Sequence, residues 1–249
     1  MKKITICNNK GGVGKTTTVF NLVWFFAEKG LRTLAIDTDP QQNLTDNFGV
    51  NIEGYEGLGD YLLERNNKFE PVKINKNLHL LIGGEKIEQD MIDIKNTGPL
   101  YYTLLDNFLK KIEQDYDIVI IDTAPSFNTY TASAVYTGEI YIPMIPGSNE
   151  FKALNSTIKF ASDFGKKITG IILTRTETNT AITQYSNTLL EENYKEYFLN
   201  TKIRKTVMIG EAIMMHKSIY DYAKKSKCAY DYRTLGEEIM KREGLVWKS

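Results

Sequence analysis

Residues 9–17 bring together the residue types that hold a phosphate group, in the sequence Asn-Lys-Gly-Gly-Val-Gly-Lys-Thr-Thr. An apolar strand is predicted just before the run, at Ile4–Cys7, and an apolar helix just after it, at 18–27. Glycines let backbone N–H groups close around an anion, and a helix N-terminus adds partial positive charge. The run therefore predicts a phosphate-binding loop, with Lys15 on the β- and γ-phosphates and the Thr16 hydroxyl on Mg²⁺. The predicted nucleotide-binding residues of the loop are Lys10, Gly11, Gly12, Val13, Gly14, Lys15, Thr16 and Thr17.

The loop departs from the plain G-x-x-x-x-G-K-[ST] pattern, because Asn9 stands where the first glycine would fall. It matches the variant K-G-G-x-G-K-T-T, which Lys10 opens. That variant resembles the deviant Walker A loop of the ParA/MinD group of ATPases. The resemblance implies ATP and Mg²⁺ as ligands, and a Lys10 that reaches across a homodimer interface to the partner's nucleotide. A second cation there would offset the charge that develops during phosphoryl transfer. The alternatives are a chance glycine-rich turn and a solvated surface lysine.

Two further segments place carboxylates after apolar strands, where ligands bind in open parallel sheets. Asp37-Thr38-Asp39-Pro40-Gln41 resembles the switch I segment of ParA-type proteins. The resemblance implies that Asp39 orients the attacking water, that Asp37 supports the Mg²⁺ shell and that Pro40 belongs to the nucleotide site. Asp122, after four apolar residues, fits a Walker B aspartate that holds Mg²⁺ through water. In both segments a carboxylate that only caps a turn is the alternative.

Two further features belong to the predicted nucleotide site: the segment after Asp122, and Arg175. The segment after Asp122 resembles switch II, but Ala124 stands where the family more often has the first of two prolines, so the loop conformation is open. Arg175 ends another predicted strand, which in the family lies near the adenine. The hypothesis is that Arg175 stacks on the base; the alternative is a surface arginine.

The elements that must position these residues form an α/β fold. Continuous apolar, β-branched runs indicate strands buried on both faces, and the segments between them are long enough for crossover helices. We predict one twisted, mostly parallel sheet with helices on both faces, a P-loop NTPase of the deviant Walker A type, as a single domain over residues 1–249. Residues 100–114 have helical spacing, Gly30 should end the first helix, and the polar segment 49–77 gives no clear element. The predicted strands are Ile4–Cys7, Thr33–Ile36, Leu78–Ile82, Ile118–Ile121, Ile140–Ile145, Ile168–Thr174 and Phe198–Ile203.

Composition excludes several other classes of protein. The 249 residues carry 31 basic and 31 acidic side chains, so any nucleic-acid binding must come from a local patch. The two cysteines and two histidines suggest neither a disulfide framework nor a metal-ligand cluster, which fits a reducing cytoplasm. The start runs straight into a strand, which predicts no signal peptide, and no apolar run approaches the roughly 20 residues of a membrane span.

A local basic patch is present in the last fifth of the chain. Residues 202–227 hold seven basic side chains and two acidic ones, an excess of five. Such clustering suits contact with a phosphate backbone without base reading, and a solvated helical face is the alternative. The endings 226–230 and 235–239 resemble those of ParA-type proteins, which bind DNA nonspecifically through C-terminal basic residues. Where the family usually has an arginine-rich stretch, however, this chain has Thr206-Val207-Met208-Ile209. The predicted DNA-binding residues are Arg204, Lys205, Lys217, Lys224, Lys225 and Lys227.

The resemblance covers nearly the whole chain and implies a ParA-type ATPase that partitions a plasmid or chromosome. Its implied cycle is ATP binding, a sandwich homodimer, nonspecific binding of double-stranded DNA, and hydrolysis stimulated by a centromere-binding ParB-type partner. A cytoplasmic, nucleoid-associated protein without an N-terminal helix-turn-helix domain is expected. One rival is a MinD-like membrane ATPase, which needs a basic amphipathic tail; residues 237–249 carry three glutamates and Gly244. The other is a relative that positions a different cargo.

Overall fold

A computed structural model describes residues 1–66 and 68–246 of the chain. Within these ranges eight strands form one sheet. The strands are β1 (Lys2–Ile6), β2 (Thr33–Asp37), β3 (Val72–Lys73), β4 (Leu78–Leu81), β5 (Ile118–Asp122), β6 (Glu139–Met144), β7 (Ile168–Thr176) and β8 (Phe198–Arg204). Their order in the sheet is β3-β4-β2-β5-β1-β6-β7-β8. Every neighbouring pair is parallel except β3–β4, which is antiparallel at the edge.

The predicted fold class is confirmed, and each of the seven predicted strands is present within about two residues of its predicted bounds. The edge strand β3 was missed. Helices connect the strands. A 3₁₀ turn at Tyr101–Thr103 precedes an α-helix at Leu104–Lys111, so the predicted helix at 100–114 is shorter and composite. The helices are α1 (Lys15–Glu28), α2 (Asn43–Phe48), α3 (Leu58–Leu62), α4 (Ile87–Asn96), α5 (Leu104–Lys111), α6 (Thr129–Thr137), α7 (Glu150–Asp163), α8 (Ala181–Asn193), α9 (Met208–Met214), α10 (Ile219–Tyr222) and α11 (Lys227–Glu243).

The central strands are largely apolar because both faces of the sheet are covered. Successive side chains of a strand point to opposite faces. On β5, Ile118 and Ile120 pack into a core with α1 and α11, whereas Val119 and Ile121 pack into a second core with α3 to α6. A third core lies under α7 and α8. All five residues of β5 are buried, which explains the unbroken hydrophobic run.

The C-terminal helix α11 belongs to the core of the fold. Leu235, Ile239 and Met240 are buried in the same core as α1. At Gly236 the two helices approach so closely that a Cβ atom would lie 2.3 Å from the ring of Phe25. The apolar side of α11 therefore packs within the protein up to Glu243, and the last part of the tail, 247–249, lies outside the described residues. Over the described ranges, we find no helix with the length and apolarity to cross a bilayer.

Candidate functional site

The glycine-rich loop joins β1 to α1 at the carboxyl edge of the sheet. Gly12 and Gly14 have φ angles of 75° and 87°, which side chains with a Cβ rarely adopt. The helix then starts at Lys15, and none of the described side chains caps its N-terminus. The first N–H groups of a 14-residue helix are thus left for an outside acceptor, so the loop has the backbone arrangement of an anion site.

Side chains from other strand ends hold this loop in place. The Thr174 hydroxyl, at the end of β7, lies 2.8 Å from the carbonyl oxygen of Val13 and 3.1 Å from that of Met144. Asn8 donates from its side-chain amide to the carbonyl of Pro143 at 2.8 Å and accepts the Lys10 N–H at 3.0 Å. These bonds fix the backbone of the loop before any ligand is bound.

Lys15 lies inside the loop rather than on the surface. Its side chain is buried, and Nζ donates to the carbonyl oxygen of Lys10 at 3.1 Å. Burial lowers the pKa of this ammonium, while the negative charges of Asp122 and Asp39 act in the opposite direction. A cation held in this way, next to free N–H groups, is a suitable partner for phosphate oxygens.

Asp122 is the strongest indication of a cation site. It is fully buried at the end of β5, and neither carboxylate oxygen makes a hydrogen bond of normal geometry to the described residues. Burial raises its pKa well above 3.8, and the nearby Asp37 raises it further; the Thr16 hydroxyl and Lys15 only partly oppose this. An orphaned buried carboxylate beside a threonine hydroxyl fits Mg²⁺, which prefers oxygen ligands and few carboxylates. The described residues contain no cluster of three or more His, Cys, Asp or Glu side chains arranged to hold a metal by themselves.

Asp37 and Asp39 lie at the end of the neighbouring strand, and Asp37 is in register with Asp122. Both oxygens of Asp37 are occupied: they accept the Asp39 N–H at 3.1 Å and the N–H and hydroxyl of Thr45 at 2.9 and 2.8 Å. Burial nevertheless raises the pKa of Asp37 to about 6. Asp37 thus ties α2 to β2. Asp39 is buried, and within the described chain it accepts a single hydrogen bond, from the N–H of Gln41 at 3.0 Å, so one of its oxygens remains available.

The segment that carries Asp39 and the half-buried Pro40 is fastened on its far side by Gln42. The side chain of Gln42 exchanges two hydrogen bonds with the backbone of Gly84, at 3.2 and 3.3 Å. The Thr38 hydroxyl donates to the carbonyl of Asp122 at 2.5 Å. The two aspartate-bearing segments therefore form one hydrogen-bonded unit.

Lys10 is held by a residue that no local sequence pattern marks. Its Nζ forms an ion pair with Glu150 at the start of α7. Glu150 is buried, and its second oxygen, Oε2, has no hydrogen-bond partner among the described residues. The Asn9 side chain also contacts α7, where it donates to the hydroxyl of Ser156 at 3.1 Å. The opening of the loop is therefore attached to α7.

Beside the loop lies a cleft of about 770 Å³, large enough for a nucleoside. Arg175 lines it, and its guanidinium donates to the carbonyl of Gly12 at 3.1 Å. The φ of Arg175 is 50°, an unusual value for a non-glycine residue. The apolar wall of the cleft comes from Ile203, Ile209 and Ile213. The structure thus brings Arg175 to the loop, at the edge of a cleft that could accept a base.

The predicted DNA-binding residues do not form one equivalent set. Arg204 pairs with Asp231 through Nε and Nη2 at 2.6 and 2.7 Å, and Lys205 pairs with Glu177 at 2.6 Å. Among the described residues, no carboxylate forms an ion pair with the other four lysines. These exposed lysines are Lys217, Lys224, Lys225 and Lys227.

Sequence reasoning missed Glu150, Thr174 and Thr45. Thr174 lies at the carboxyl end of a predicted strand, next to Arg175, which was predicted to contact the base. That position could have identified Thr174 as a residue of the site. Glu150 lies 140 residues from Lys10 in the sequence. Thr45 donates a hydrogen bond to Asp37 across a turn that was not predicted. No local pattern marks these two residues.

Comparison with known proteins places this site in a family. Residues 1–169 match the family model for the AAA domain. The chromosome-partitioning ATPase Soj of Thermus thermophilus is 29% identical over 97% of this chain and 96% of its own. A ParA family protein of Chlamydia trachomatis is 30% identical over 96% of this chain and 98% of its own.

Solved structures agree on the fold. The ATP complex of a Cyanothece McdA variant has a TM-score of 0.89 at 19% identity, and it covers 100% of this chain and 98% of that one. The Pyrococcus horikoshii septum site-determining protein MinD, complexed with Mg-ADP, has a TM-score of 0.79 at 24% identity, covering 98% and 97%. From the loop, the sheet and these relatives together, the chain is a member of the ParA/MinD superfamily of partition ATPases.

Proposed function

We propose that residues 1–249 form one ATPase domain that binds Mg²⁺ and ATP and partitions a plasmid or chromosome. The observation that carries the proposal is the joint placement of Lys15, Asp39 and Asp122 around an uncapped helix N-terminus, with a second lysine at the loop entrance. Complexes of the structural neighbours with ATP or with Mg-ADP support the choice of ligands.

In this proposal each residue has a separate task. Lys15 and the loop N–H groups from Gly11 to Thr17 bind the phosphates. Thr16 and Asp122 would hold Mg²⁺, and the ion would supply positive charge to the phosphates. Asp39 uses its available oxygen to orient the attacking water, while Asp37 fixes the segment through Thr45.

Lys10 acts across a homodimer. In the single chain Glu150 neutralises it, and 40% of its side chain remains exposed at the entrance of the loop. When two chains face each other around their nucleotides, the partner's phosphates would compete with Glu150 for this ammonium. The charge of Lys10 then stabilises the transferring phosphoryl group from outside its own loop.

The ATP dimer binds double-stranded DNA without sequence preference, and a centromere-binding ParB-type partner stimulates hydrolysis. The support is the set of four lysines near the C-terminus that form no ion pair within the described ranges, together with relatives named for chromosome and plasmid partition. Two such sets side by side would add their phosphate contacts, so linked sites gain avidity. We expect the protein in the cytoplasm, on the nucleoid.

Two alternative functions, membrane association and the positioning of another cargo, are distinguished by experiment. Because the apolar side of α11 is buried against α1, a membrane-binding tail that used this helix would have to unfold from the core. A relative that positions another cargo would keep the ATPase cycle and lack a centromere-binding partner. Stimulation of hydrolysis by such a partner therefore separates a partition protein from this relative.

The ATPase assignment is tested with Lys15→Ala. Loss of the buried ammonium should abolish productive phosphate binding, so Mg²⁺-dependent phosphate release should fall at least about a hundredfold, or roughly 3 kcal/mol. Lys167→Ala is the matched control, since Lys167 is exposed just before β7. Wild-type hydrolysis by Lys15→Ala would refute the assignment of the loop.

DNA binding is tested by titrating a duplex with protein in ATP, in ADP and without nucleotide, at two salt concentrations. Alanine at Lys217, Lys224, Lys225 and Lys227 should weaken ATP-dependent binding and reduce the salt slope by about 0.9 per lost phosphate contact. The control replaces four exposed lysines elsewhere: Lys152, Lys159, Lys167 and Lys195. Equal affinity in all three nucleotide states, or in both quadruple variants, would contradict the proposal.

A further inference from the structure

The helix α9 is apolar on the side that faces solvent as well as on the side that faces the core. Ala212 is buried, and Ile209 and Ile213 pack against the core containing α1. On the opposite side, large apolar side chains are left uncovered by the described chain. They are Val207 (76% exposed), which also lies at the cleft beside the loop, Met208 (42%), Met214 (80%), Met215 (58%) and, from α10, Tyr222 (39%); we call this set the methionine face.

Helical geometry puts these residues on one surface. The backbone ladder is continuous from Val207 to Met215, through the N–H groups of Glu211 and Met215. Residues seven apart lie on one side of an α-helix, so Val207 lines up with Met214 and Met208 with Met215. The Tyr222 hydroxyl donates to Glu211 at 3.1 Å and so brings its ring beside the same surface. A helix with large apolar side chains on two opposite sides is normally covered on both.

The charges around the methionine face specify what would cover it. Lys217 follows α9, Lys224 and Lys225 follow α10, and no ion pair holds any of the three within residues 1–66 and 68–246. The acidic groups close to these lysines are Glu211, Asp221 and Glu28, and Glu28 also pairs with Arg233. Neutral hydroxyls donate to Glu211 and Asp221 and leave their negative charge in place. The four basic side chains exceed these three carboxylates by one, so the surface offers an apolar centre with a small excess of positive charge at one side.

We propose that the methionine face docks an amphipathic helix of another protein, whose apolar stripe covers the methionines and whose acidic residues meet Lys217, Lys224 and Lys225. Methionine side chains are flexible and polarisable, so they adapt to an apolar helix laid against them. This inference goes beyond the proposed function and rests only on the exposure and charge of α9 and α10.

An anionic membrane would match the same charges but fits the centre poorly. Glu211 lies in the middle of the apolar stripe, and within the described chain its carboxylate accepts a side-chain hydrogen bond from the Tyr222 hydroxyl alone. Hydrocarbon cannot satisfy that carboxylate, and burial of an unpaired charge is costly. A peptide side chain with an N–H donor, such as that of glutamine, can satisfy the carboxylate. The seven residues of α9 also present far less apolar surface than the longer helices that bind membranes.

The probe is a synthetic amphipathic peptide about 18 residues long, with a leucine stripe at helical spacing, one glutamine at the centre of the stripe as a donor to Glu211, and glutamates elsewhere. Its partner is the full chain labelled with ¹³C at the methyl groups of its seven methionines. The proposal expects the acidic peptide to shift the signals of Met208, Met214 and Met215 and to leave those of the buried Met144 and Met240 unchanged. An otherwise identical peptide with lysine for glutamate should bind at least about tenfold more weakly, because it meets like charge.

Two variants test the surface directly. Met214→Ser with Met215→Ser should weaken the acidic peptide roughly tenfold or more, while the melting temperature and ATP binding stay unchanged. The matched control is Ile92→Ser with Leu100→Ser, which removes two comparably exposed apolar side chains from another part of the surface (56% and 61% exposed). Lys224→Glu with Lys225→Glu should bind the acidic peptide more weakly and the lysine peptide more tightly.

Four outcomes would overturn the proposal. They are an acidic peptide that shifts no methionine signal or all of them, equal binding of the acidic and lysine peptides, and no effect of the serine pair on binding. The fourth is binding to a membrane. In that case phosphatidylglycerol vesicles bind the wild type but not the Met214→Ser, Met215→Ser variant, and they shift the same three methyl signals more than the peptide does.

Discussion

Replacing Asp122 by asparagine should stabilise the nucleotide-free protein and remove its response to Mg²⁺. Three buried carboxylates, Asp37, Asp39 and Asp122, share the site with one buried ammonium, Lys15. Asp122 is the one whose two oxygens have no hydrogen-bond partner in the described part of the chain. An unsatisfied buried polar group costs about 1–3 kcal/mol, and more when it is charged. The amide keeps the shape of the carboxylate, removes its charge and offers an N–H₂ donor to Asp37, its neighbour in the sheet.

We therefore expect Asp122→Asn to raise the free energy of unfolding without ligand by about 2 kcal/mol, which for a chain of this size is roughly 4–8 °C in melting temperature. The assay is thermal or urea unfolding with and without ATP and Mg²⁺. A ligand at about a hundred times its Kd stabilises the folded state by about 2.7 kcal/mol, and the variant should lose the part of this gain that depends on Mg²⁺.

The control is Asp163→Asn, which makes the same chemical change on the exposed end of α7 and should alter stability little. A lower melting temperature for ligand-free Asp122→Asn would show that the carboxylate is better satisfied in the fold than its contacts indicate. Full Mg²⁺-dependent ATP hydrolysis by the variant would show that Asp122 does not hold the metal.

Three further predictions concern neighbouring residues. Asp39→Ala should bind ATP and accumulate as an ATP-bound dimer, because it removes the oxygen that orients water but none of the phosphate ligands; light scattering that shows only monomer at saturating ATP would count against this role. Glu150→Gln should increase ATP-dependent dimerisation, because it releases the ammonium of Lys10. The control is Glu192→Gln, on the exposed end of α8. Unchanged or weaker dimerisation in sedimentation would show that Glu150 does not compete for Lys10. The raised pKa of Asp37 means that the folded state binds its proton more tightly than the unfolded chain, so the resulting stability is fully present below pH 3.8 and is lost as pH rises through about 6. The loss amounts to about 3 kcal/mol, since one pKa unit is about 1.4 kcal/mol. Urea unfolding of the ligand-free protein at a series of pH values should show this loss, and Asp37→Asn should reduce it. An equal dependence of the free energy of unfolding on pH in the two proteins would contradict the prediction.

The sheet was predictable from sequence because its strands are buried on both faces. The runs at β5 and β7 are largely apolar segments with no polar face, so their identity did not depend on knowing their neighbours. The strand β3 was missed since it has two residues, pairs antiparallel at the edge and leaves Lys73 exposed. A pattern that short carries no periodicity.

The phosphate loop was predictable for a different reason, because strand, glycines, lysine and helix follow one another without interruption. What holds the loop was not. Glu150 reaches Lys10, and Thr174 reaches Val13, only after the sheet has brought β1, β6 and β7 together. Likewise the excess of basic residues at 202–227 did not reveal that Arg204 is engaged by Asp231. Side-chain partners across the sheet are a tertiary property that local sequence does not encode.

The central claim is an ATP-dependent homodimer in which Lys10 acts across the interface, and sedimentation velocity tests it most directly. In the Asp39→Ala background, ATP and Mg²⁺ should convert the 28.4 kDa chain into a species of twice that mass, whereas ADP should not. Adding Lys10→Ala should leave ATP binding intact, measured with a fluorescent ATP analogue, and keep the protein monomeric. A dimer that forms equally well without the Lys10 side chain, or equally well in ADP, would contradict the account.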